Sequence, residues 1–327
     1  MNPATLITKA IYVAVISLSL ASLWPSIGGQ AAVGKRPSAR DVPSSKMFDA
    51  KRLLRDIETL SADDMGGRSD DSPGMEKARA FVEKRLQETG VSPVAGSTKQ
   101  NFDYTPRRSS ENLRGVNFFG MIKGKSNSGK HIVVTAHYDH DGIKKGEIYN
   151  GADDNASGTA ALFAIAQYFK KHQPNHSMLF VALDAEEKGL LGARYFLKNL
   201  PIAKESILLN VNVDMIARSD KGELYAAGTY HYPHLKPALE EAQKKARVKL
   251  LLGHDRPEQG RHDWTFQSDH GAFHREKIPF IYFGVEDHKD YHKPTDDFAN
   301  IHPEFYVKAV ETVIETIMIL DKGIGGK

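Results

Sequence analysis

Short apolar runs alternate with amphipathic segments from residue 132 onward, and this alternation constrains the fold more than any other feature of the sequence. Four runs have the length of buried strands: HIVVTA, MLFVAL, ILLNVNV and PFIYFG. Apolar residues recur at helical spacing over 159–171, 190–200, 237–246 and 304–320. Strands and helices that alternate in this way build a largely parallel sheet covered by helices. The sequence therefore predicts an α/β fold: a single domain whose mixed, mostly parallel twisted sheet is flanked by helices on both faces.

Two more helices are predicted upstream, over 48–60 and 75–89, and Gly90 is well placed to end the second one. The folded domain is predicted to span 47–327, which is long enough for a closed core. The chain has no cysteine, so the core must stabilise the fold without disulfides. The net charge is only +3 and no basic block is present, so we expect no nucleic-acid partner.

Residues 1–31 have the composition of a secretory signal peptide. Lys9 is their only charge, 10–24 is almost entirely apolar or small, and Gly29 and Ala31 suit a cleavage site. An uncleaved membrane anchor is the alternative, although the apolar run falls short of the roughly 20 residues that span a bilayer. Residues 32–46, rich in Pro, Ser, Gly and Arg, are predicted to be a flexible leader. We therefore expect a periplasmic or secreted protein, with no stable membrane insertion after cleavage.

Metal-ligand side chains follow each of the four strand-like runs. His137 follows the first run, Glu186 and Glu187 the second, Asp214 the third, and His292 lies a few residues beyond the fourth. In an open α/β sheet, ligands bind at the carboxyl ends of the strands, so we expect these residues to meet in one site. Histidine and carboxylate ligands in one cleft indicate a metal-dependent hydrolase.

Each of these residues also has an ordinary structural explanation. A histidine at a strand end is commonly a surface or core residue, and paired glutamates at a helix start complement the helix dipole. The combination nevertheless favours metal chemistry. A carboxylate at the end of an apolar strand, such as Asp214, needs a partner that offsets its desolvation. Of the adjacent Glu186 and Glu187, one can bind metal while the other accepts a proton from metal-bound water.

Two histidine motifs are less informative on their own. In AHYDH, Asp139 lies two residues after His137 and is positioned to fix the tautomer of that histidine. That argument gives no metal-binding role to His140 or Asp141, and we expect both side chains to be exposed. In YHYPH, His231 and His234 have a ligand-like spacing, but their Tyr- and Pro-rich surroundings favour a surface or pocket-lining loop.

The segment GADDNASG places two adjacent carboxylates, Asp153 and Asp154, between small residues. An acidic turn that leads into a helix N-cap is one explanation. It does not readily account for the pair, whereas small neighbours would let one carboxylate approach two cations closely. Either carboxylate could bridge two metal ions.

Taken in order, AHYDH, GADDNASG, EEKGLLG, NVDM, SDHGAF and YHKPTDD resemble motifs of the co-catalytic di-zinc aminopeptidases of metallopeptidase family twenty-eight. Glutamate carboxypeptidase and glutaminyl cyclase are relatives of that family. The likeness extends upstream to 66–91 and covers about two thirds of the chain. It implies a fold like that of the zinc aminopeptidases and the phosphorylase/hydrolase group, two zinc ions per chain, and peptide substrates.

The resemblance also implies a role for individual residues. It assigns His137 and Asp214 to one zinc, Glu187 and His292 to the other, and Asp154 to the bridge between them. Asp153 is the alternative bridge, and a cis peptide bond is expected after Asp154. Glu186 is implied to be the general base. Asp269 and His270 are expected to orient the site or to contact substrate. Apart from the resemblance, Tyr291 stands beside His292 and could donate a hydrogen bond to the oxyanion, with a packed tyrosine as the alternative.

Charge counting agrees with this assignment. Two zinc ions supply four positive charges, which three ligand carboxylates and one bridging hydroxide would neutralise.

The function implied by the resemblance is an exported zinc-dependent aminopeptidase. A carboxypeptidase or glutaminyl cyclase-like zinc enzyme is the nearest alternative, although such cyclases usually work with one zinc. A non-catalytic binding ectodomain is a third possibility, but it would be expected to have lost ligands or the base. Side-chain preference, native metal and oligomeric state stay open.

Overall fold

A mixed sheet of eight strands forms the centre of the fold. The structure, a computed structural model, describes residues 43–106, 110–126 and 128–324. Within these ranges the strands are β1 (Lys99–Tyr104), β2 (Leu113–Ile122), β3 (His131–His137), β4 (Gly142–Lys144), β5 (Glu147–Tyr149), β6 (Ser177–Leu183), β7 (Ile207–Val213), β8 (Glu223–Ala227), β9 (Lys249–Leu252) and β10 (Phe280–Gly284). The sheet order is β1-β2-β6-β3-β7-β10-β8-β9, and β4 pairs with β5 in a separate hairpin.

The four strands β6, β3, β7 and β10 are neighbours and run parallel to one another. They are the four apolar runs predicted from the sequence. β8 and β9 are also parallel, whereas the pairs β1/β2, β2/β6 and β10/β8 are antiparallel. Because the four central strands are adjacent and parallel, their carboxyl ends lie side by side at one edge of the sheet. The predicted mixed, mostly parallel sheet is confirmed.

The described helices are α1 (Ala50–Leu60), α2 (Pro73–Glu88), α3 (Gly158–Lys171), α4 (Leu191–Lys198), α5 (Lys236–Lys245), α6 (His270–Arg275) and α7 (Pro303–Gly323). Local sequence explains where the first two begin. The side chain of Asp49 caps α1 by accepting from the Arg52 amide, and Ser72 caps α2 with Pro73 in its first turn. The six helices predicted from apolar spacing agree with the structure to within a few residues.

Helices cover the sheet on both faces. On β3, Ile132 and Val134 belong to a large apolar cluster that includes residues of α1, α3 and α7. The intervening Val133 points to the other face and packs with Phe196 of α4 and Phe273 of α6. This alternation follows from the two-residue period of a strand. Since both sides of β3 are buried, its apolar run is nearly continuous, as expected for a central parallel strand.

The predicted signal peptide, 1–31, lies outside the described residues, as does most of the predicted leader. Near the end of that leader, the Ser45 hydroxyl donates a hydrogen bond of 2.7 Å to Glu311 Oε1 on α7. Phe48, one residue after the predicted start of the folded domain, is buried. Among the residues that the structure describes, no helix combines the length and apolarity needed to cross a membrane.

Candidate active site

The strand-end residues converge on one cavity. It has a volume of about 340 Å³ and opens where β3, β6, β7 and β10 end. Its lining includes all six residues that the sequence and the resemblance marked as metal ligands or base: His137, Asp154, Glu186, Glu187, Asp214 and His292. The expectation that these residues meet at one edge of the sheet is therefore correct.

The first group of donor atoms surrounds His137, the last residue of β3. His137 Nε2 lies 3.3 Å from Asp214 Oδ1 and 3.5 Å from Asp154 Oδ1. Glu186 offers a carboxylate oxygen within 4.8 Å of the donor atoms of His137 and Asp214. One imidazole and several carboxylate oxygens at these separations form a donor set that suits zinc.

The second group surrounds His292, in the loop after β10. His292 Nε2 lies 3.0 Å from Asp154 Oδ2 and 3.5 Å from Glu187 Oε1. Asp154 thus presents Oδ1 to the first group and Oδ2 to the second. This is the arrangement that a carboxylate needs in order to bridge two ions.

Asp153, the alternative bridge, is engaged elsewhere. Its Oδ1 accepts a hydrogen bond of 2.6 Å from the Ala217 amide, and its Oδ2 lies 3.0 Å from His288 Nε2. The two amides of Asp153 and Asp154 are held by Asp296, whose carboxylate oxygens accept from them at 2.9 and 3.0 Å. The peptide bond between Asp154 and Asn155 is cis, as the resemblance implies. The geometry favours Asp154 over Asp153 as the bridge.

The backbone adopts left-handed conformations where it presents site residues. Ala185, Met215 and His292 have φ values of +54°, +55° and +52°. Non-glycine residues in this region cost on the order of 1–3 kcal/mol each, so surrounding contacts must enforce them. At Met215 the amide donates to Asn155 Oδ1 at 3.2 Å. Such strained positions cluster at functional sites, which is consistent with a site at this edge.

Asp139 supports the residues around it in two ways. Its Oδ1 lies 3.5 Å from His137 Nδ1, close to the orienting position expected from the sequence. Its two oxygens also accept hydrogen bonds from the amides of Glu186 at 3.0 Å and Glu187 at 3.2 Å. One buried carboxylate therefore ties the end of β3 to the loop that carries both glutamates.

The side chains of the site carry excess negative charge. Burial raises the pKa of Glu186 well above its ordinary value, and the nearby Glu187, Asp269 and Asp214 raise it further, although His137 opposes the rise. Burial lowers the pKa of His292, but Asp154 and Glu187 outweigh it and raise the value to about 11. Buried charges of one sign need compensation, and cations at the carboxylates would supply it.

His140 was expected to be exposed, and that expectation is wrong. Its side chain is fully buried, and Asp141 beside it is only 12% exposed. The cause is a distant segment, because the His140 amide donates to the carbonyl of Arg68 and the Gly142 amide to that of Gly67. The chain after β3 is therefore held under the loop that precedes α2. No local pattern reveals this contact.

Arg68 is a site residue that the motif analysis did not single out. Its buried guanidinium donates to four backbone carbonyls on three segments around the site: Leu60, Tyr138, Asn150 and Gly151. Burial lowers its pKa to about 10, even with Asp154 and other carboxylates nearby. Arg68 therefore fixes the backbone on which His137 and Asp154 are mounted. A lone arginine in a Gly-rich loop gives little sign of this role.

The remaining predicted residues lie around the site in different positions. Tyr291 lines the cavity, with its ring centroid 4.1 Å from that of His292. His270 is buried behind the site, and its Nε2 donates to the Trp264 carbonyl at 2.8 Å. Asp269 is also buried, and burial together with the nearby Asp139 and Asp214 raises its pKa to about 8, although His137 opposes the rise.

The YHYPH histidines are absent from the groups of metal-ligating atoms found in the described ranges. His231 Nε2 instead lies 2.9 Å from Thr265 Oγ1. Residues from the segment between β9 and α6 line the cavity instead, namely Trp264, Phe266 and Gln267.

The fold and this donor set together define a metal-dependent hydrolase of the α/β type. The sequence matches the model of peptidase family M28 over residues 117–317. The chain belongs to peptidase family M28, and the predicted family is confirmed. Aminopeptidase YwaD of Bacillus subtilis (strain 168) is 28% identical over 246 residues, which cover 69% of this chain and 50% of that protein. The chain spans about half the length of the curated relatives it matches.

Two solved structures show the same fold. A zinc aminopeptidase from Bacillus subtilis superimposes with a TM-score of 0.67 at 18% identity, covering 88% of this chain and 98% of the other. The Porphyromonas gingivalis glutaminyl cyclase superimposes with a TM-score of 0.66 at 16% identity, covering 84% and 99%. Since an aminopeptidase and a cyclase match this chain almost equally well, the fold alone does not separate the two reactions.

Proposed function

We propose that the chain is an exported, zinc-dependent aminopeptidase that removes N-terminal residues from peptides. The observation that carries the proposal is the position of Asp154, whose two carboxylate oxygens face two separate groups of donor atoms. The similarity to aminopeptidase YwaD supports the same activity.

The residues present fit a pair of zinc ions. Imidazole nitrogens and carboxylate oxygens are suitable zinc ligands. Glu187 Oε1 is buried and lacks a hydrogen bond within the described ranges, so it has an unused acceptor. His137, Asp214 and Asp154 would hold one ion, and Glu187, His292 and Asp154 the other. Zinc at such a site supplies Lewis acidity and lowers the pKa of bound water to about 7.

Glu186 is the proposed proton acceptor. It lines the cavity beside His137 and Asp214, and Asp139 holds its amide. Burial raises the pKa of the Glu186 carboxyl, whereas cations would lower it, so the two effects bring it toward the range that suits a general base. The same carboxyl can then donate the proton to the leaving amine.

A glutaminyl cyclase-like reaction is the second candidate, since a cyclase shares the fold. The donor set argues against it, because potential ligand atoms form two groups and the Asp154 carboxylate has one oxygen near each. A non-catalytic role is disfavoured for the same reason: every proposed ligand and the proposed base line one cavity.

A substrate panel tests the proposed activity. The purified, zinc-loaded protein is given peptides with free and acetylated amino ends, peptides that report carboxyl-terminal cleavage, and peptides with N-terminal glutamine. We expect release of N-terminal residues from the free peptides only. Equal turnover of acetylated peptides would contradict an aminopeptidase, and cyclisation without cleavage would favour the second candidate.

Export is tested separately, because it depends on residues 1–31. Expression of the full chain followed by cell fractionation and N-terminal sequencing should give a periplasmic or secreted protein that begins near residue 32. Recovery of the intact N-terminus in the membrane fraction would instead support the uncleaved anchor.

A further inference from the structure

His140 is a buried imidazole for which the proposed two-metal site has no role. Its side chain is fully buried, and neither ring nitrogen forms a hydrogen bond within the described ranges. The great majority of buried polar side-chain atoms in proteins have a partner. An imidazole with two unpartnered nitrogens beside a candidate metal site therefore needs an explanation.

The Nδ1 atom of His140 faces the second group of donor atoms. It lies 3.0 Å from Glu187 Oε1 and 3.8 Å from Asp154 Oδ2. Glu187 Oε1, like the two ring nitrogens of His140, has no hydrogen-bond partner among the described residues. On the other side, His292 Nε2 lies 3.0 and 3.5 Å from the same two oxygens.

These separations match those of ligands around a single ion. In a tetrahedral zinc site with bonds of about 2.0–2.1 Å, neighbouring ligand atoms are about 3.3 Å apart. The four contacts between the nitrogens of His140 and His292 and the oxygens of Asp154 and Glu187 range from 3.0 to 3.8 Å. His140, Asp154 and Glu187 also have ligand atoms that all lie within 4.8 Å of one another, which is close enough for one ion to contact all three.

The His140 ring is held in this position by its surroundings. Its amide donates to the Arg68 carbonyl at 3.0 Å. At Gly151, which has a φ of +54°, an added Cβ would overlap the His140 ring, so glycine permits the close approach. The ring also meets His292 edge to face, with centroids 5.7 Å apart. The imidazole is therefore fixed toward the donor atoms.

We propose that His140 is a fourth protein ligand of the ion held by Asp154, Glu187 and His292. This inference rests on the proposed two-metal function. The other ion has three protein ligands, namely His137, Asp154 and Asp214. Zinc sites with four protein ligands are typically closed, whereas catalytic sites keep an open position. The four-ligand ion therefore binds first and more tightly, and the three-ligand ion has the open coordination position.

X-ray absorption at the zinc edge tests this assignment on the wild-type protein. The metal-free protein is loaded with one zinc equivalent, and the imidazole contribution to the spectrum is counted. The proposal predicts two imidazoles around the first ion, from His140 and His292. One imidazole around that ion would overturn it. Because no variant is needed, a folding defect cannot leave the proposal untested.

A zinc titration against a competing chelator provides the second test. Loss of a residue that merely supports a ligand typically weakens metal binding about 10–100-fold, so loss of a ligand should exceed about 100-fold. His140→Ala should weaken the first binding event by at least that factor and leave the second almost unchanged. His231→Ala is the matched control, because this histidine belongs to none of the metal-ligating groups, and both events should keep their wild-type affinities.

The outcomes distinguish this inference from the proposed function. If the wild-type protein binds fewer than two zinc ions per chain, the two-metal function itself fails. If the wild type binds two zinc ions and His292→Ala weakens the first event while His140→Ala does not, only the assignment of His140 fails. A 10–100-fold loss in His140→Ala, with one imidazole in the spectrum, would make His140 a support of Glu187 and also overturn the ligand assignment.

Discussion

The two halves of the candidate metal centre are built in different ways. The strand-end half, His137 and Asp214, lies directly at the ends of β3 and β7, and the His137 side chain is only 1% exposed. The loop half, Glu187 and His292, is carried by loops, and the His292 side chain is 37% exposed. A central sheet positions the first half rigidly, whereas the second depends on contacts between distant loops. Asp154 connects the two.

This difference explains what the sequence could predict. Periodicity locates the strands, and the end of a strand locates His137 and Asp214 without further knowledge. In the loop half, strand ends also indicate the Glu186/Glu187 pair and His292, but the family resemblance was needed to choose Glu187 as the ligand, because loop geometry does not follow from local pattern. His140 was misjudged for the same reason, since its burial depends on a segment about 70 residues upstream. Asp296 lies within the YHKPTDD motif and Arg68 within the stretch 66–91, but both bind backbone groups of distant segments, and neither motif reveals those contacts.

The proposed base, Glu186, is not one of the proposed zinc ligands, and its removal should have the largest effect on turnover. Glu186→Gln should lower kcat by about two to four orders of magnitude, the usual contribution of a general base. Both zinc ions should be retained, because their proposed ligands are intact. Metal analysis and steady-state kinetics on the same preparation check this. A variant with near wild-type kcat would remove Glu186 from that role.

Replacing one histidine in each half compares the halves directly. His137→Ala and His292→Ala should each weaken one zinc-binding event by more than about 100-fold, since each loses a ligand. In urea unfolding of the metal-free protein, His137→Ala should cost about 1–3 kcal/mol because it leaves buried carboxylates unpaired. His292→Ala also removes a partner of Asp154 and Glu187, but the loss of this half-exposed side chain opens both carboxylates to water, so it should cost less than His137→Ala. Equal costs would show that the halves do not differ in this way.

A residue that positions the shared bridge should affect both halves together. Asp296 accepts hydrogen bonds from the amides of Asp153 and Asp154 and does not line the cavity. Asp296→Ala should therefore weaken both zinc-binding events by about 10–100-fold. Asp220→Ala is the control, because the Asp220 side chain is exposed, and it should leave the affinities of both zinc-binding events unchanged. If only one event weakens in Asp296→Ala, its role is confined to one half.

The smallest expected effect concerns His270, which is buried behind the site. Burial lowers the pKa of His270 from 6.5 to about 4, so the folded protein keeps this imidazole neutral. Between these values the unfolded chain binds the proton more readily, so His270 makes the metal-free fold less stable as the pH falls from about 6.5 to about 4. His270→Gln should reduce this loss in thermal unfolding measured across that range. An unchanged pH dependence would contradict the prediction.

The central claim is a two-metal centre bridged by Asp154, and diffraction at the zinc absorption edge tests it most directly. Crystals of the zinc-loaded protein should show two anomalous peaks on either side of the Asp154 carboxylate, about 3.5–4 Å apart. One of them should lie among the donor atoms of the strand-end half and the other among those of the loop half. A single peak, or two peaks of which neither contacts Asp154, would contradict the account.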